Sequence, residues 1–228
     1  MTSIFYEYSD IHDKIKDISN SSIDLIYTSP PYGITNAEWD KPLKWDKLFP
    51  EMWRVLKPTG IIVLHASMPF TYELLKYQKP KYHYTWLKSV ATGFLWAKKQ
   101  PLRITEEIFI YYNKVGTYNP QMKGDIITKP RKHKVVNGEN YYNIPKDKEC
   151  QEAGHVGRYP NTLLEYKTRY KSGGGITRTD EMIDYFIKTY SNENETVLDL
   201  TCCNKIVSKV VNKLNRNYIG VDINHIKD

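Results

Sequence analysis

Cysteine and long apolar segments are both scarce in this 228-residue sequence. Its three cysteines, Cys150, Cys202 and Cys203, are an odd number that gives no disulfide framework, and no second Cys/His pair completes a metal site. No apolar run approaches the roughly 18 residues of a membrane helix, and no secretory signal is readable after Met1. We therefore expect no bound metal, no membrane partner, and a reducing compartment, either the cytoplasm or the nucleus.

Acidic residues are also fewer than basic ones: 33 Lys and Arg against 26 Asp and Glu give a net charge of +7. That excess favours a polyanionic partner. Between positions 76 and 103 seven Lys or Arg alternate with six aromatic residues, and no Asp or Glu occurs. Cations for phosphates and rings for bases are typical of nucleic-acid contact. We predict DNA contacts at Lys88, Lys98, Lys99 and Arg103. A second basic cluster around Lys132 also suits DNA, although a solvated loop explains it as well.

Short apolar runs alternate with amphipathic segments on both sides of a polar stretch. This pattern predicts strands at 23–28, 61–66, 106–112, 196–201 and 217–222, and helices at 46–57, 179–191 and 206–214. Strands separated by helices favour an α/β fold with a parallel sheet. Residues 113–175 are polar with little periodicity, and we interpret them as an insert or small lobe within a single domain spanning 1–228.

The segment 28–33, Thr-Ser-Pro-Pro-Tyr-Gly, directly follows the first predicted strand. Pro30 and Pro31 fix φ and remove two backbone donors, which leaves a rigid turn with free carbonyls. The Ser29 hydroxyl and the Pro30 carbonyl can accept the two hydrogens of an exocyclic amine, and Tyr32 can stack on a nucleobase. An ordinary strand-to-loop turn is the alternative interpretation of these residues.

The longer segment 24–33 resembles the catalytic motif of DNA amino-methyltransferases, and further blocks resemble the same family. The catalytic motif precedes the cofactor strand, which is the order of the permuted β class. The blocks at 91–103 and 157–160 resemble those of phage- or virus-type adenine enzymes, and the second adds Arg158 to the expected DNA contacts. The other blocks lie at 8–10, 56–63, 196–199 and 216–222.

This resemblance implies a Rossmann-like, S-adenosylmethionine-dependent methyltransferase fold, with a mostly parallel sheet and helices on both faces. It implies transfer of a methyl group to the exocyclic amine of a flipped base, most often adenine N6, with Ser29, Pro30, Pro31 and Tyr32 as catalytic residues. Serine at position 29 is also familiar from cytosine-N4 members, so cytosine stays open as the target.

The resemblance places S-adenosylmethionine against residues from several of these blocks. The two glycines of the family's cofactor loop are replaced here by Cys203 and Lys205. The family's Thr-Gln-Lys-Pro segment should lie near 176–179, where Arg178 keeps its positive charge and the other residues differ. Two alternatives follow: an enzyme that is weak or depends on a partner, and an inactive, methyltransferase-like DNA-binding protein that does not bind the cofactor. A homodimer or a catalytic partner subunit suits either alternative. The expected cofactor residues are Asp10, Thr28, Arg178, Asp199, Cys203, Lys205 and Asp222.

Overall fold

A computed structural model describes residues 3–127, 156–170, 176–203 and 206–223. Its helices are α1 (Ile11–Lys14), α2 (Trp45–Val55), α3 (Phe70–Tyr77), α4 (Asp180–Tyr190) and α5 (Ile206–Lys213). Its strands are β1 (Ile4–Tyr8), β2 (Ile23–Thr28), β3 (Leu56–Ala66), β4 (Tyr82–Thr92), β5 (Arg103–Tyr111), β6 (Lys123–Ile127), β7 (Val156–Arg158), β8 (Leu163–Tyr166), β9 (Arg169–Tyr170), β10 (Ile176–Thr177), β11 (Thr196–Asp199) and β12 (Asn217–Asp222).

The chain forms two compact units. The larger comprises residues 1–119 with 162–228, and the smaller comprises residues 120–161. In the smaller unit, β6 and β7 pair as an antiparallel ribbon. Gly157 adopts a φ of +90° there, and a Cβ would lie 2.8 Å from the Gly124 carbonyl oxygen. Only glycine therefore fits at position 157, where the backbones of the two strands approach closely.

The larger unit is built on an eight-stranded sheet in the order β1-β12-β11-β2-β3-β5-β4-β8. Every neighbouring pair is parallel except the two that β5 makes with β3 and β4. Strand β5 is antiparallel to its neighbours because it follows β4 in the chain and pairs with it as a hairpin. The predicted α/β fold with a mostly parallel sheet is confirmed.

Side chains of the central strands alternate between two apolar cores, one on each face of the sheet. On β2, Leu25 faces the core closed by α4 and α5, whereas Ile26 faces the core closed by α1, α2 and α3. Strand β2 is covered on both faces, which explains why its sequence is a nearly continuous apolar run. Helices on both faces are thereby confirmed.

Some predicted element bounds are wrong. Helix α2 ends at Val55 rather than at 57, and β3 begins at Leu56, because Pro58 disfavours helical geometry at the residue before it. Strand β11 ends at Asp199 rather than at 201. Residues 163–166, predicted as part of the polar insert, form β8 at the edge of the main sheet.

Strand β4 was not predicted, because its residues suggested a nucleic-acid surface. Alternate side chains of this strand, Tyr84, Trp86 and Lys88, are buried, which is the two-residue period of a strand with one covered face. Within the described ranges no helix is long and apolar enough to cross a membrane, and no three His, Cys, Asp or Glu residues are grouped as metal ligands.

Candidate active site

Five adjacent parallel strands end at one side of the sheet, which we call the carboxyl edge. These strands are β1, β12, β11, β2 and β3. The motif of residues 29–32 follows β2, and the loop of residues 200–203 follows the neighbouring β11. The hydroxyls of Thr28 and Thr201 form a hydrogen bond of 3.2 Å between the two strand ends. The predicted catalytic motif and the described part of the predicted cofactor loop, residues 200–203, therefore lie side by side.

Three predicted cofactor residues, Asp10, Cys203 and Asp222, also lie at the carboxyl edge. Asp222 ends β12 and its carboxylate accepts a 2.6 Å hydrogen bond from the backbone N–H of Cys203. Cys203 has a φ of +44°, the left-handed region in which its glycine counterpart would be unstrained. Asp10 caps α1 by accepting from the N–H of His12 at 2.8 Å. The loop thus keeps a glycine-like turn at residue 203 despite the added Cβ.

The carboxyl group of Asp199 is buried beneath this loop. Its oxygens accept hydrogen bonds from the Thr201 N–H at 3.2 Å and the Tyr218 hydroxyl at 3.3 Å. Burial raises the pKa of Asp199 to about 7, and these two hydrogen bonds offset only part of the effect. Asp199 is therefore largely ionised only in alkaline solution.

We expect this pKa to make the protein less stable as pH rises. The folded pKa lies above the unfolded value of about 3.9, so the folded chain binds more protons, and the free energy of unfolding falls between about pH 4 and pH 7. The loss is on the order of 3–4 kcal/mol. Asp199→Asn should remove most of this pH dependence in urea unfolding, whereas Asp17→Asn, on an exposed side chain, should not. An unchanged slope in the Asp199 variant would refute this assignment.

Tyr32 is held in place from both ends of its side chain. Its ring stacks on Phe70, with centroids 5.2 Å apart and planes 20° from parallel. Its hydroxyl accepts a 2.5 Å hydrogen bond from Arg178 and donates to Glu106 at 3.4 Å. Burial raises the pKa of the Tyr32 hydroxyl, so it stays protonated.

Glu106 joins Tyr32 to two cations in a buried cluster. Its carboxylate lies 3.2 Å from Arg178 and 3.4 Å from Lys88, and both Glu106 and Lys88 are buried. Burial lowers the pKa of Lys88. The prediction that Lys88 faces DNA is therefore wrong, because its ammonium is buried and is paired with the carboxylate of Glu106. Arg178, predicted for the cofactor, contacts Tyr32 of the predicted catalytic motif instead.

His65 completes the cluster on β3. Its Nδ1 accepts from Arg178 at 3.4 Å, and its Nε2 lies 3.0 Å from the Tyr27 hydroxyl. Burial and the neighbouring Arg178 hold the pKa of His65 well below its usual value, so the ring is neutral. A neutral ring with an accepting Nδ1 carries its proton on Nε2, which donates to Tyr27.

The loop after Tyr32 is fixed by Asp40. Its carboxylate accepts from the backbone N–H groups of Gly33, Ile34 and Thr35 at 2.8–2.9 Å and from the Thr35 hydroxyl at 2.7 Å. Burial alone would raise the pKa of Asp40, but these four hydrogen bonds outweigh it and lower the pKa. Asp40 therefore fixes the backbone immediately after the catalytic motif.

The remaining predicted DNA contacts are distributed over both units. Lys98 and Lys99 are exposed in the loop between β4 and β5, and Arg103 at its base donates to the Met68 carbonyl at 3.1 Å. Arg158 is exposed on β7 of the smaller unit. Lys132 and Lys205, the latter predicted as a cofactor residue, lie outside the described residues.

Sequence reasoning missed Glu106, His65, Asp40 and Phe70. An acidic residue inside an apolar strand was the available signal for Glu106, since a buried carboxylate requires a partner. For Asp40 the signal was an Asp in a turn-rich segment, where its side chain commonly accepts backbone N–H groups.

Comparison with known families matches residues 23–226 to the N6/N4 methyltransferase model, described as DNA methylase. The Type II methyltransferase M.HpaI of Haemophilus parainfluenzae is 25% identical over 224 residues, which cover 92% of this chain and 67% of that protein. M1.MboII of Moraxella bovis, also a Type II methyltransferase, is 23% identical over 234 residues, or 93% of this chain and 88% of that protein.

Two solved structures share the fold. The crystal structure of the M1.HpyAVI–SAM complex superposes with a TM-score of 0.57 at 18% identity, covering 97% of this chain and 93% of that one. The PvuII DNA methyltransferase, which is cytosine-N4-specific, superposes with a TM-score of 0.65 at 13% identity, covering 98% and 83%. These likenesses extend the agreement in fold over nearly the whole chain.

Proposed function

The chain belongs to the DNA methylase family of S-adenosylmethionine-dependent N6 and N4 amino-methyltransferases, and we propose that it methylates N6 of an adenine flipped out of duplex DNA. The observation that carries methyl transfer at this site is the hydrogen bond between Thr28 and Thr201, which joins the ends of β2 and β11. It supports a base and a cofactor held next to each other, at the strand ends where open α/β sheets bind ligands. Adenine as the target rests on the resemblance of residues 91–103 and 157–160 to adenine enzymes.

The residues that follow β2 would align the exocyclic amine of the target base. The Ser29 hydroxyl and the Pro30 carbonyl accept its two hydrogens, which directs the nitrogen lone pair away from them and towards the methyl donor. Tyr32, the last residue of this motif, is fixed in position by Phe70, which stacks on its ring, and by Arg178, which donates to its hydroxyl. No covalent intermediate with the protein is needed, because bound S-adenosylmethionine would supply a methyl group that the amine can accept directly: the carbon–sulfur bond would break as the carbon–nitrogen bond forms, and the amine would release one proton to solvent.

On the cofactor side, the described residues fit S-adenosylmethionine, which supplies an electrophilic methyl group when bound. Asp222 and Asp10 bring oxygen acceptors to the carboxyl edge, which suits a ribose with two hydroxyls. Cys203 retains the left-handed backbone that allows close approach of a ligand. The family match and this loop conformation favour an enzyme over the inactive alternative.

We expect Cys203→Gly to bind S-adenosylmethionine more tightly, because glycine keeps a φ of +44° and leaves no Cβ to limit the close approach of a ligand to the backbone. The expected gain is about three- to tenfold in calorimetric titration, since relief of one such steric contact amounts to about 1 kcal/mol. Ser21→Gly is the control, because Ser21 has a similar φ of +51° but precedes β2 at the opposite end of the strand. Weaker binding in the Cys203 variant would show that the cysteine side chain serves the cofactor, and unchanged binding would contradict the expected steric cost.

Cytosine N4 is the second candidate target, and Ser29 is the residue that favours it. DNA from a bacterial host without its own amino-methylation, expressing this chain, would be digested to nucleosides and analysed by mass spectrometry. N6-methyladenine supports the proposal, and N4-methylcytosine assigns the chain to the second candidate. Neither product, from a host that contains folded protein, would contradict both.

DNA binding should depend steeply on salt, because phosphate contacts release counterions. Replacing Lys98 and Lys99 by alanine should weaken binding to all sequences alike and reduce the log–log salt slope by about two units. Replacing Lys209 and Lys213, exposed on α5, removes the same charge as a control. Equal effects of the two double variants in fluorescence anisotropy would mean that net charge alone matters, and the loop would then not contact DNA.

A further inference from the structure

The loop between β4 and β5 exposes three consecutive large apolar side chains. Phe94, Leu95 and Trp96 form a 3-10 turn and are 81%, 95% and 54% exposed. We call these three residues the apolar tip. Exposed apolar residues are common singly, but three in succession at the end of a loop indicate a surface that contacts something else.

The apolar tip stands away from the body of the larger unit. An open cleft of about 370 Å³ separates the loop from the start of α3. Gly93 begins the turn with a φ of +90°, and a Cβ there would lie in ordinary contact with the Arg103 side chain, 3.9 Å from its Nε. The cleft is lined by Met68, Pro69, Tyr72, Gln100, Pro101 and Arg103.

The charges beside the tip match a polyanion. Lys98 and Lys99 follow directly and are exposed, and the Lys99 ammonium lies 5.0 Å from the Trp96 ring centre. No Asp or Glu occurs between positions 76 and 103. Symmetric docking of a second copy through this tip would bring like charges together, whereas DNA phosphates would neutralise them.

The base of the loop is hydrogen bonded to the cluster around Tyr32. Lys88 donates to the Thr92 hydroxyl at 3.2 Å, and that hydroxyl donates to the Arg103 carbonyl at 3.3 Å. Lys88 also pairs with Glu106, which accepts from Tyr32. A continuous series of contacts therefore joins the tip's supporting strands to the catalytic motif.

We propose that the apolar tip inserts into the DNA duplex beside the target and stabilises the opened base step while the base occupies the site. This inference rests on the proposed function. Apolar side chains that enter a base step offset the loss of base stacking at that step. Leu95 is the leading residue because it is the most exposed.

The test compares methylation of one plasmid in its relaxed and its negatively supercoiled forms. Supercoiling already lowers the cost of opening base pairs, so the tip matters most on relaxed DNA. Leu95→Ala should slow methylation of the relaxed plasmid about tenfold and that of the supercoiled plasmid far less. Val115→Ala is the control, since Val115 is 80% exposed but follows β5 at the opposite end of the sheet.

A second measurement does not depend on methyl transfer. Insertion should unwind a closed circular plasmid relaxed by topoisomerase I in the presence of the protein, and Leu95→Ala should unwind it less. Equal losses on both plasmid forms together with equal unwinding would overturn the proposal. Conversion of a dimer to a monomer by Leu95→Ala, seen by analytical ultracentrifugation, would also overturn it and assign the tip to a second copy. If the protein unwinds DNA and Leu95→Ala reduces the unwinding, but neither plasmid form is methylated, then the insertion stands and only the proposed function is refuted.

Discussion

Replacing Glu106 with alanine is expected to lower the free energy of unfolding by about 3–5 kcal/mol. Glu106 is the carboxylate partner of both Lys88 and Arg178, at 3.4 and 3.2 Å. Lys88 is 3% exposed, so without the carboxylate its charge would be buried unpaired or lost by deprotonation. Chemical denaturation of the two proteins at the same pH measures the difference.

The neighbouring Glu107→Ala is the matched control. Its carboxylate accepts only from the Thr71 hydroxyl at 3.0 Å among the hydrogen bonds described, so its loss should cost about 1 kcal/mol. Glu106→Gln keeps an acceptor without the charge and should fall between the two. A loss below about 1 kcal/mol in Glu106→Ala would contradict the account, because the cations would then have other means of solvation.

Replacing Tyr32 with alanine is expected to reduce kcat/KM for DNA methylation by about a hundredfold or more, because alignment of the amine then lacks its aromatic support. Affinity for S-adenosylmethionine should change little, as Asp222 and Cys203 lie on other strand ends. Tyr32→Phe keeps the stacking on Phe70 but loses the hydroxyl that meets Arg178, so a loss of about tenfold is expected.

Steady-state kinetics on DNA, with circular dichroism to verify folding, provides the measurement. Tyr77→Ala is the control, because this partly exposed tyrosine on α3 lies outside the Tyr32 cluster. A Tyr32→Ala variant that is folded and methylates DNA at the normal rate would remove Tyr32 from the catalytic motif.

The sequence predicted two strands of the sheet with their observed bounds and missed another strand altogether. Residues 23–28 and 217–222 form β2 and β12 with the predicted bounds, because strands covered on both faces are continuous apolar runs. Strand β4 was missed because Tyr84, Trp86 and Lys88 resemble a basic aromatic surface. Only the sheet shows that they point inward, and that Lys88 meets a carboxylate 18 residues later.

The site could be predicted only where its residues follow one another in the chain. The segment 29–32 is a local motif, and its position at a strand end follows from the apolar run before it. The contact of Arg178 with Tyr32 joins residues 146 positions apart, so no local pattern indicates it. The family resemblance predicts Arg178 as a cofactor residue, whereas in the structure its guanidinium contacts Tyr32 and Glu106.

Transfer of a labelled methyl group tests the central claim most directly. The purified chain is incubated with S-adenosylmethionine labelled in its methyl group and with unmethylated DNA, and the DNA is then digested to nucleosides. The account predicts label in N6-methyladenine for the unmodified chain and little or none for Tyr32→Ala. A folded chain that binds both DNA and S-adenosylmethionine but leaves the DNA unlabelled would contradict it.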